Sequence, residues 1–517
     1  MKKPLLKTIC VLLLLVLPLS GCWQEEPPED TASGLVQSGE ENPETVEAET
    51  LLPESFSLPY LPGQSLDPID CPDGMQQTAA SLLYEGLFRL DLDLMPENLL
   101  CSSSTYDPER FVYVFTLRPG VLFSDGSPLT ARDVRSALER ARQSGRYQAR
   151  LAHVVSISAG DGTVTVTLDA PNTAFPALLD IPISKESDGV SIGTGPYRFS
   201  EDEQGVFLAV NPHWWQGGGQ PVDRIRLTEA SGQDAMLYRF SSHEVQLIAA
   251  DLTGTAPVTF TGSVGLWDAD TTILQYVGCN TAAAPLDSAA LRHALWEGIN
   301  REQVVSGFLS GHGTAAQFPL SPRSPLYPED LETRFSADAP LRAVAETGYM
   351  AERTLILLVN GENSFKISVA NYLAESFTAA GVPVETRVLP WEEYIAALEA
   401  GEFDLYYGEV RLGADWNLSA LLASDGVLNY GFWADVRTDE LLLAYSAAAD
   451  RAAAMRDLCT YLRQQSPILP VCFKTASVLT QEGVLEGLTP TAAEPFYGLT
   501  GCTVHLRENG DDELLAD

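Results

Sequence analysis

The clearest pattern of apolar positions lies at Val112–Phe123, "VYVFTLRPGVLF". It sets Tyr113, Phe115 and Leu117 on one side of an extended chain, the period-two signal of a half-buried strand. "SDGSP" follows as a turn, Asp-Gly being a strong turn dipeptide. The spacing then changes: in "PLTARDVRSALERAR" Val134, Ala137, Leu138 and Ala141 recur at helical intervals. Thr130 reads as the N-cap and Asp133 as the third helical residue. This is a capping-box arrangement in which the acid also suits the positive end of the helix dipole. Asp125 and Asp133, close enough in sequence to suggest a pair of working carboxylates, are therefore fully accounted for by a turn and a cap.

The same alternation marks strands in "GDGTVTVTLDAP" (Gly160–Pro171), after the Gly/Pro crossing "GTGPYRFS" (Gly193–Ser200), and at Arg224–Leu227. Ala290–Gly311 carries helical spacing and ends on glycine. "TLILLVNG", "SVANYLAESFTAAG" and "VPVETRVL" form a strand-helix-strand unit over Thr354–Leu389, followed by the helix "WEEYIAALEAG" and the buried-strand run "FDLYYGEV". Strands alternating with helices of this length predict an α/β fold, and 517 residues predict more than one domain.

A formal charge of −38 argues against a nucleic-acid surface, which needs clustered Lys and Arg to displace counterions. At the N-terminus, Lys2, Lys3 and Lys7 precede the apolar run Ile9–Leu17 and then "LSGC". That run is far short of the roughly 20 residues of a membrane-spanning helix, so it reads as a secretory leader. "LSGC" resembles the lipobox of bacterial lipoproteins, which implies a lipid on Cys22 and a signal peptide over 1–21. Residues 22–52 hold many acids and no Lys or Arg, and read as a disordered acidic tether. Beyond Cys22 come Cys71, Cys101, Cys279, Cys459, Cys472 and Cys502, whose pairing the spacing does not fix. Without Cys-x-x-Cys or His-x-x-x-His, no metal site or cofactor is expected.

Taken in order, these blocks resemble the extracytoplasmic solute-binding proteins of ABC importers, family 5, which includes oligopeptide-, dipeptide- and nickel-binding proteins. The resemblance runs from about Leu66 to about Leu499. It rests on "SLDP" (Ser65–Pro68), "LLYEGLFRL" (Leu82–Leu90), the segment through "SDGSPLTARDV", "GTGPYRF", "NPHWW", Asn280–Glu302, "GEFDL" (Gly401–Leu405) and the "LPV" before Cys472. It implies an α/β, two-lobe periplasmic-binding-protein-like fold (type II, large peptide-binding cluster) with an extra subdomain on the first lobe. The first lobe would comprise 53–75, 185–270 and 476–508, the extra subdomain 76–184, and the second lobe 271–475; 509–517 would be an acidic tail. Hinges are expected near Gly278–Asn280 and near 474–478.

The resemblance also implies a site. In peptide-binding members an Asp-aromatic pair after the "G-x-FD" strand holds the ligand's amino group, and Asp415–Trp416 falls on that position; a helix N-cap at Asp415 or Asn417 is the alternative. Trp391 matches a pocket-lining Trp, with a core role as its alternative. Tyr147 and the loop Ile69–Gly74 are further candidates for the cleft, and Lys366 and Arg411 for a peptide carboxylate. The implied partners are a peptide or other small-molecule ligand, the subunits of an ABC permease, and the membrane through the lipid anchor. The protein is expected to be a monomer, with no nucleic acid and no catalysis. An oligosaccharide, a nickel chelate or haem as ligand, a peptide-pheromone receptor, and an extracellular hydrolase are the competing readings.

Overall fold

Two strands of unusual length, Val264–Cys279 and Ile468–Gln481, pair antiparallel from Val264↔Gln481 to Gly278↔Ile468. The computed structural model describes residues 52–507, apart from 73, 188, 256–257, 259, 261–262 and 348–352. Cys22, the leader, most of the tether and the acidic tail lie outside the described residues. Among the described residues no helix is long and apolar enough to cross a membrane.

The ends of the two long strands belong to different cores. Val478 and Leu479 pack with the first-lobe residues Phe56, Leu58, Leu208, Ile225, Phe240 and Phe496. Leu274, Val277, Leu469 and Phe473 pack with Leu357, Val359, Leu373 and Tyr406 of the second. The first lobe has a four-stranded sheet ordered Ser57–Tyr60, Arg224–Glu229, Gly205–Val210, Tyr197–Asp202. The subdomain has an antiparallel sheet ordered Cys101–Asp107, Val112–Leu117, Thr163–Leu168, Val154–Ala159, with its own core. The long strands run through a seven-stranded mixed sheet ordered Leu247–Ala250, Ile468–Gln481, Val264–Cys279, Leu405–Arg411, Leu355–Asn360, Val384–Leu389. Gly313–Ala315 joins it alongside Ile468–Gln481. "LILLVN" is almost wholly buried, as a parallel strand covered on both faces must be.

Local chemistry places the elements where the patterns predict. Helix Ala131–Ala141 is capped by Thr130, with Asp133 completing the capping box. Asp125 accepts from the Ser127 amide within its turn, at 2.9 Å. The helix expected over Ala290–Gly311 is two helices, Ala289–Glu297 and Arg301–Phe308. The break arises because the Asn300 side chain accepts from the Gln303 amide and caps the second one. Five of the cysteines, Cys101, Cys279, Cys459, Cys472 and Cys502, are buried thiols outside any disulfide.

Pairing of the long strands is interrupted between Asp270 and Leu274, opposite Thr475 and Phe473, and again between Gln275 and Tyr276. One expected hinge, near 474, adjoins this break. The other does not: Gly278 pairs regularly with Tyr406 and Ile468. Packing explains that glycine, since a Cβ there would lie 2.1 Å from the Tyr406 ring.

Buried carboxylates join the segments. Asp67 of "SLDP" accepts from the Ile69 amide, Ser184, Ser191 and Arg140. Burial opposes its ionisation, but these donors outweigh burial and hold its carboxyl below the ordinary range. Glu85 of "YEGL" accepts from Thr194 and from the indoles of Trp214 and Trp215. Glu494 faces a cavity of about 120 Å³ that Glu85, Arg89 and Trp214 also line, and burial pushes it up to about 7.

Thr130→Ala is expected to cost about 1 kcal/mol, read by urea denaturation, because it removes the cap. Glu494 titrates near about 4.3 in an unfolded chain, so between that pH and 7 the folded state holds the extra proton. Stability therefore falls as pH rises through this window. Glu494→Gln is expected to match the wild-type Tm at pH 4, exceed it at pH 8, and flatten the decline between.

Candidate functional site

Leu355–Asn360, Val384–Leu389 and Leu405–Arg411 run parallel to one another. The segments that follow them emerge at one edge of the sheet: Asn360–Lys366, Pro390–Trp391 and Leu412–Trp416. In open α/β sheets the ligand crevice lies outside the carboxyl ends of the strands. This topology gathers Lys366, Trp391, Arg411, Asp415 and Trp416 at a single edge. The interrupted stretch of the long strands, with Lys474, adjoins it through the pairing of Val264–Cys279 with Leu405–Arg411.

Asp415 is 5% exposed. Its Oδ2 accepts from the Asn172 side-chain amide of the subdomain at 2.8 Å, and its Oδ1 from the Asn417 amide at 3.3 Å. Burial raises its pKa, against the opposing effect of the Asn172 hydrogen bond. The Tyr445 hydroxyl and Arg451 donate to its carbonyl oxygen at 2.7 and 3.0 Å. A Cβ at Gly413 would lie 2.4 Å from Oδ1, so glycine makes room for the carboxylate. Asp415 is not a helix cap: the next helix is Ser419–Leu422, and the Asn417 side chain accepts from the Ser419 amide.

Trp416 is fully buried, edge-on to Phe473 with ring centroids 5.9 Å apart. Its backbone is left-handed, at φ 55°, and its indole nitrogen has no hydrogen-bond partner among the described residues. Strained backbone and orphaned buried donors concentrate at functional sites. An open gap beside the Asp-Trp pair is the expectation of a cleft site; the pair lines neither the 120 Å³ cavity nor a second of about 340 Å³. Asn172 fills the space against the carboxylate.

Trp391, half exposed, is the first residue of helix Trp391–Ala400 and stacks on Tyr394. Arg411 is exposed at the end of its strand. Tyr147 does not join this group. It is buried in the subdomain core beneath the Arg150 guanidinium, and burial pushes its hydroxyl up to about 12. The end of the Ile69–Gly74 loop lines the 340 Å³ cavity, together with Met75, Gln233, Met236, Asp251 and Thr255.

Sequence reading missed a charged cluster at the same edge. Glu409 bonds Lys366 Nζ at 3.1 Å and accepts from Gln275 at 2.9 Å. Lys474 Nζ lies 2.6 Å from Asp251 and 3.8 Å from Glu409. Asp251 follows the edge strand Leu247–Ala250, and the Asn363 amide donates to the Thr253 carbonyl beside it. The available signal was a lone Lys in the apolar run "VCFKTASV". Sequence reading also passed over a Gly-x-Ser-x-Gly spacing at Gly189–Gly193. It lies on a short hairpin rather than a strand-to-helix elbow, and Ser191 donates to Asp67.

Residues 96–425 match the profile of the bacterial extracellular solute-binding proteins, family 5 (middle region). The chain is 28% identical over 420 residues to the glutathione-binding protein GsiB of Pectobacterium atrosepticum, covering 75% of this chain and 82% of that one. Its fold is similar to the nickel ABC transporter protein of Bacillus halodurans, with TM-score 0.72 and 19% identity, covering 86% of this chain and 98% of that one. It is also similar to the oligopeptide-binding protein AppA of Bacillus subtilis, solved with a nonapeptide, with TM-score 0.60 and 18% identity, covering 88% and 100%.

Proposed function

Because this chain belongs to family 5 of the bacterial extracellular solute-binding proteins, the binding components of ABC importers, we propose that it captures a short peptide between its lobes and delivers it, chemically unchanged, to a membrane permease. The relatives it resembles are named for glutathione, nickel and oligopeptides. The observation that favours a peptide here is the Asp415–Trp416 pair. Among the described residues, a carboxylate at the strand ends holds only neutral N–H donors on its oxygens, and the adjoining indole donor has no partner.

The chemistry of an amino terminus suits that carboxylate. The Asn172 amide already donates to Asp415 in the manner an ammonium would, so ligand binding exchanges a neutral donor for a charged one. An ammonium adds to the hydrogen bond a Coulombic attraction that a neutral amide lacks, which favours the exchange. Trp391, half exposed above the same edge, offers an aromatic wall to ligand side chains. The leader and lipobox support export and a lipid on Cys22, with the acidic tether spacing the lobes from the membrane. A monomer suffices for this role, and no step requires catalysis or a cofactor.

Thermal shift across a panel of di- to nonapeptides, glutathione among them, is expected to reveal stabilising ligands; no shift with any peptide would overturn the reading. With a bound peptide identified, Asp415→Asn is expected to weaken binding tenfold or more with little change in Tm. N-acetylation of that peptide is expected to weaken binding to the wild type comparably. Equal affinity for the acetylated peptide would remove the amine from Asp415.

A further inference from the structure

Lys474 is a cation where the fold would otherwise place an apolar side chain. It lies within the long strand Ile468–Gln481, flanked by Phe473 and Thr475, at the point where pairing with Val264–Cys279 breaks. Its side chain is 3% exposed. A charge so enclosed is costly unless paired, and two carboxylates lie within 4 Å of Nζ among the described residues.

The two carboxylates are not equivalent. Glu409 comes from Leu405–Arg411, one strand removed across Val264–Cys279, and is shared: Lys366 sits on one oxygen and the Gln275 amide on the other, leaving Lys474 at 3.8 Å. Asp251 makes the short contact, 2.6 Å, yet its side chain is 48% exposed. It comes from the connection after Leu247–Ala250, and its second oxygen is held by the Thr253 amide at 3.1 Å. Two lysines and two carboxylates balance. With Asp251 withdrawn, Glu409 alone faces two ammonium groups, and one positive charge lacks a counterion.

We propose that Lys474, backed by Lys366, is the subsite for a carboxylate of the ligand, and that Asp251 is the internal carboxylate which the ligand's replaces. This rests on the peptide reading and assigns it an acidic end. Asp251 borders the cavity of about 340 Å³ shared with Gly74, Met75, Gln233, Met236 and Thr255, so the group to be displaced adjoins open space. The exchange is carboxylate for carboxylate at a single ammonium, and the released Asp251, already half exposed, regains water. A ligand whose acid is amidated has nothing to exchange and leaves the Lys474–Asp251 pair intact. Selectivity for free acids follows from that difference.

The test compares trialanine and tetraalanine with their C-terminal amides by calorimetry, on the wild type, Lys474→Gln and Asp251→Asn. The wild type is expected to bind the acids at least tenfold more tightly than the amides. Lys474→Gln should reduce that ratio to within threefold, and Asp251→Asn should raise acid affinity several-fold with little effect on the amides. Asp251 is half exposed and its replacement keeps the shape of the side chain, so Asp251→Asn keeps the proposal testable if Lys474→Gln fails to fold. An acid-to-amide ratio near one in the wild type, a ratio unaltered by Lys474→Gln, or weaker acid binding by Asp251→Asn would overturn the subsite while leaving the peptide reading intact. Binding of neither acid nor amide would overturn the subsite, and the peptide reading with it if no peptide of the thermal-shift panel binds.

Discussion

Both lobes hang on the antiparallel pairing of Val264–Cys279 with Ile468–Gln481. Each strand enters the first-lobe cores at one end and the second-lobe core at the other, so the backbone hydrogen bonds that build the sheet also tether the lobes. A continuous ladder of that length would be stiff. The losses of register between Asp270 and Leu274 and between Gln275 and Tyr276 break it between the ends that enter the two lobes. Bulges bend and twist strands locally, and the first leaves room for a side chain as unusual as Lys474. The weak point of the ladder and the charged cluster therefore coincide.

What holds the remaining segments together is the need to satisfy buried ionic groups. Asp67 binds the start of the first lobe to Arg140 of the subdomain and to Ser184 and Ser191. Arg292 donates to the Leu286 and Gln465 carbonyls, and Arg301 to those of Trp296, Ala316 and Pro470. Burial drives Arg301 down to about 10, against the opposing effects of Tyr327 and Glu332, while the carbonyls around it accept from its guanidinium. Asp404 accepts from the Ile356 amide and Arg353, while the Asn280 side chain donates to the Phe403 carbonyl. Leaving a buried charge without its partner typically costs about 3–5 kcal/mol, whereas an ordinary hydrogen bond such as that of Asn280 contributes about 1 kcal/mol.

That economy explains what was legible in the sequence. "SLDP", "YEGL", "GEFDL" and the Asn280–Glu302 block stand out because their polar residues have fixed partners far along the chain. The strands and helices were readable because period-two and helical spacing report which face is buried. Asp415 was found through the block preceding it, and Gly413 only makes sense once its carboxylate is placed. Asn172, Asp251 and Glu409 were not legible. Each acts through a partner tens to hundreds of residues away, and each sits in an unremarkable local pattern. Gly278 is legible only with its partner in place: close packing against the Tyr406 ring accounts for it.

The charge of the whole protein bears on what the site can take. A formal charge of −38 repels anions at long range, but at physiological salt that field is screened beyond about 8 Å. Discrimination must then be made by groups in contact. For a ligand with an ammonium at one end and a carboxylate at the other, the acidic surface helps the first and hinders the second. Lys366, in the first turn of helix Ser364–Ala379, and Lys474, within the long strand, are neutralised internally by Glu409 and Asp251 and place two cations here without exposing a basic patch to solvent. On the proposed reading, a zwitterion finds a partner there for each of its charges, whereas a simple anion is repelled on approach and finds a partner for one.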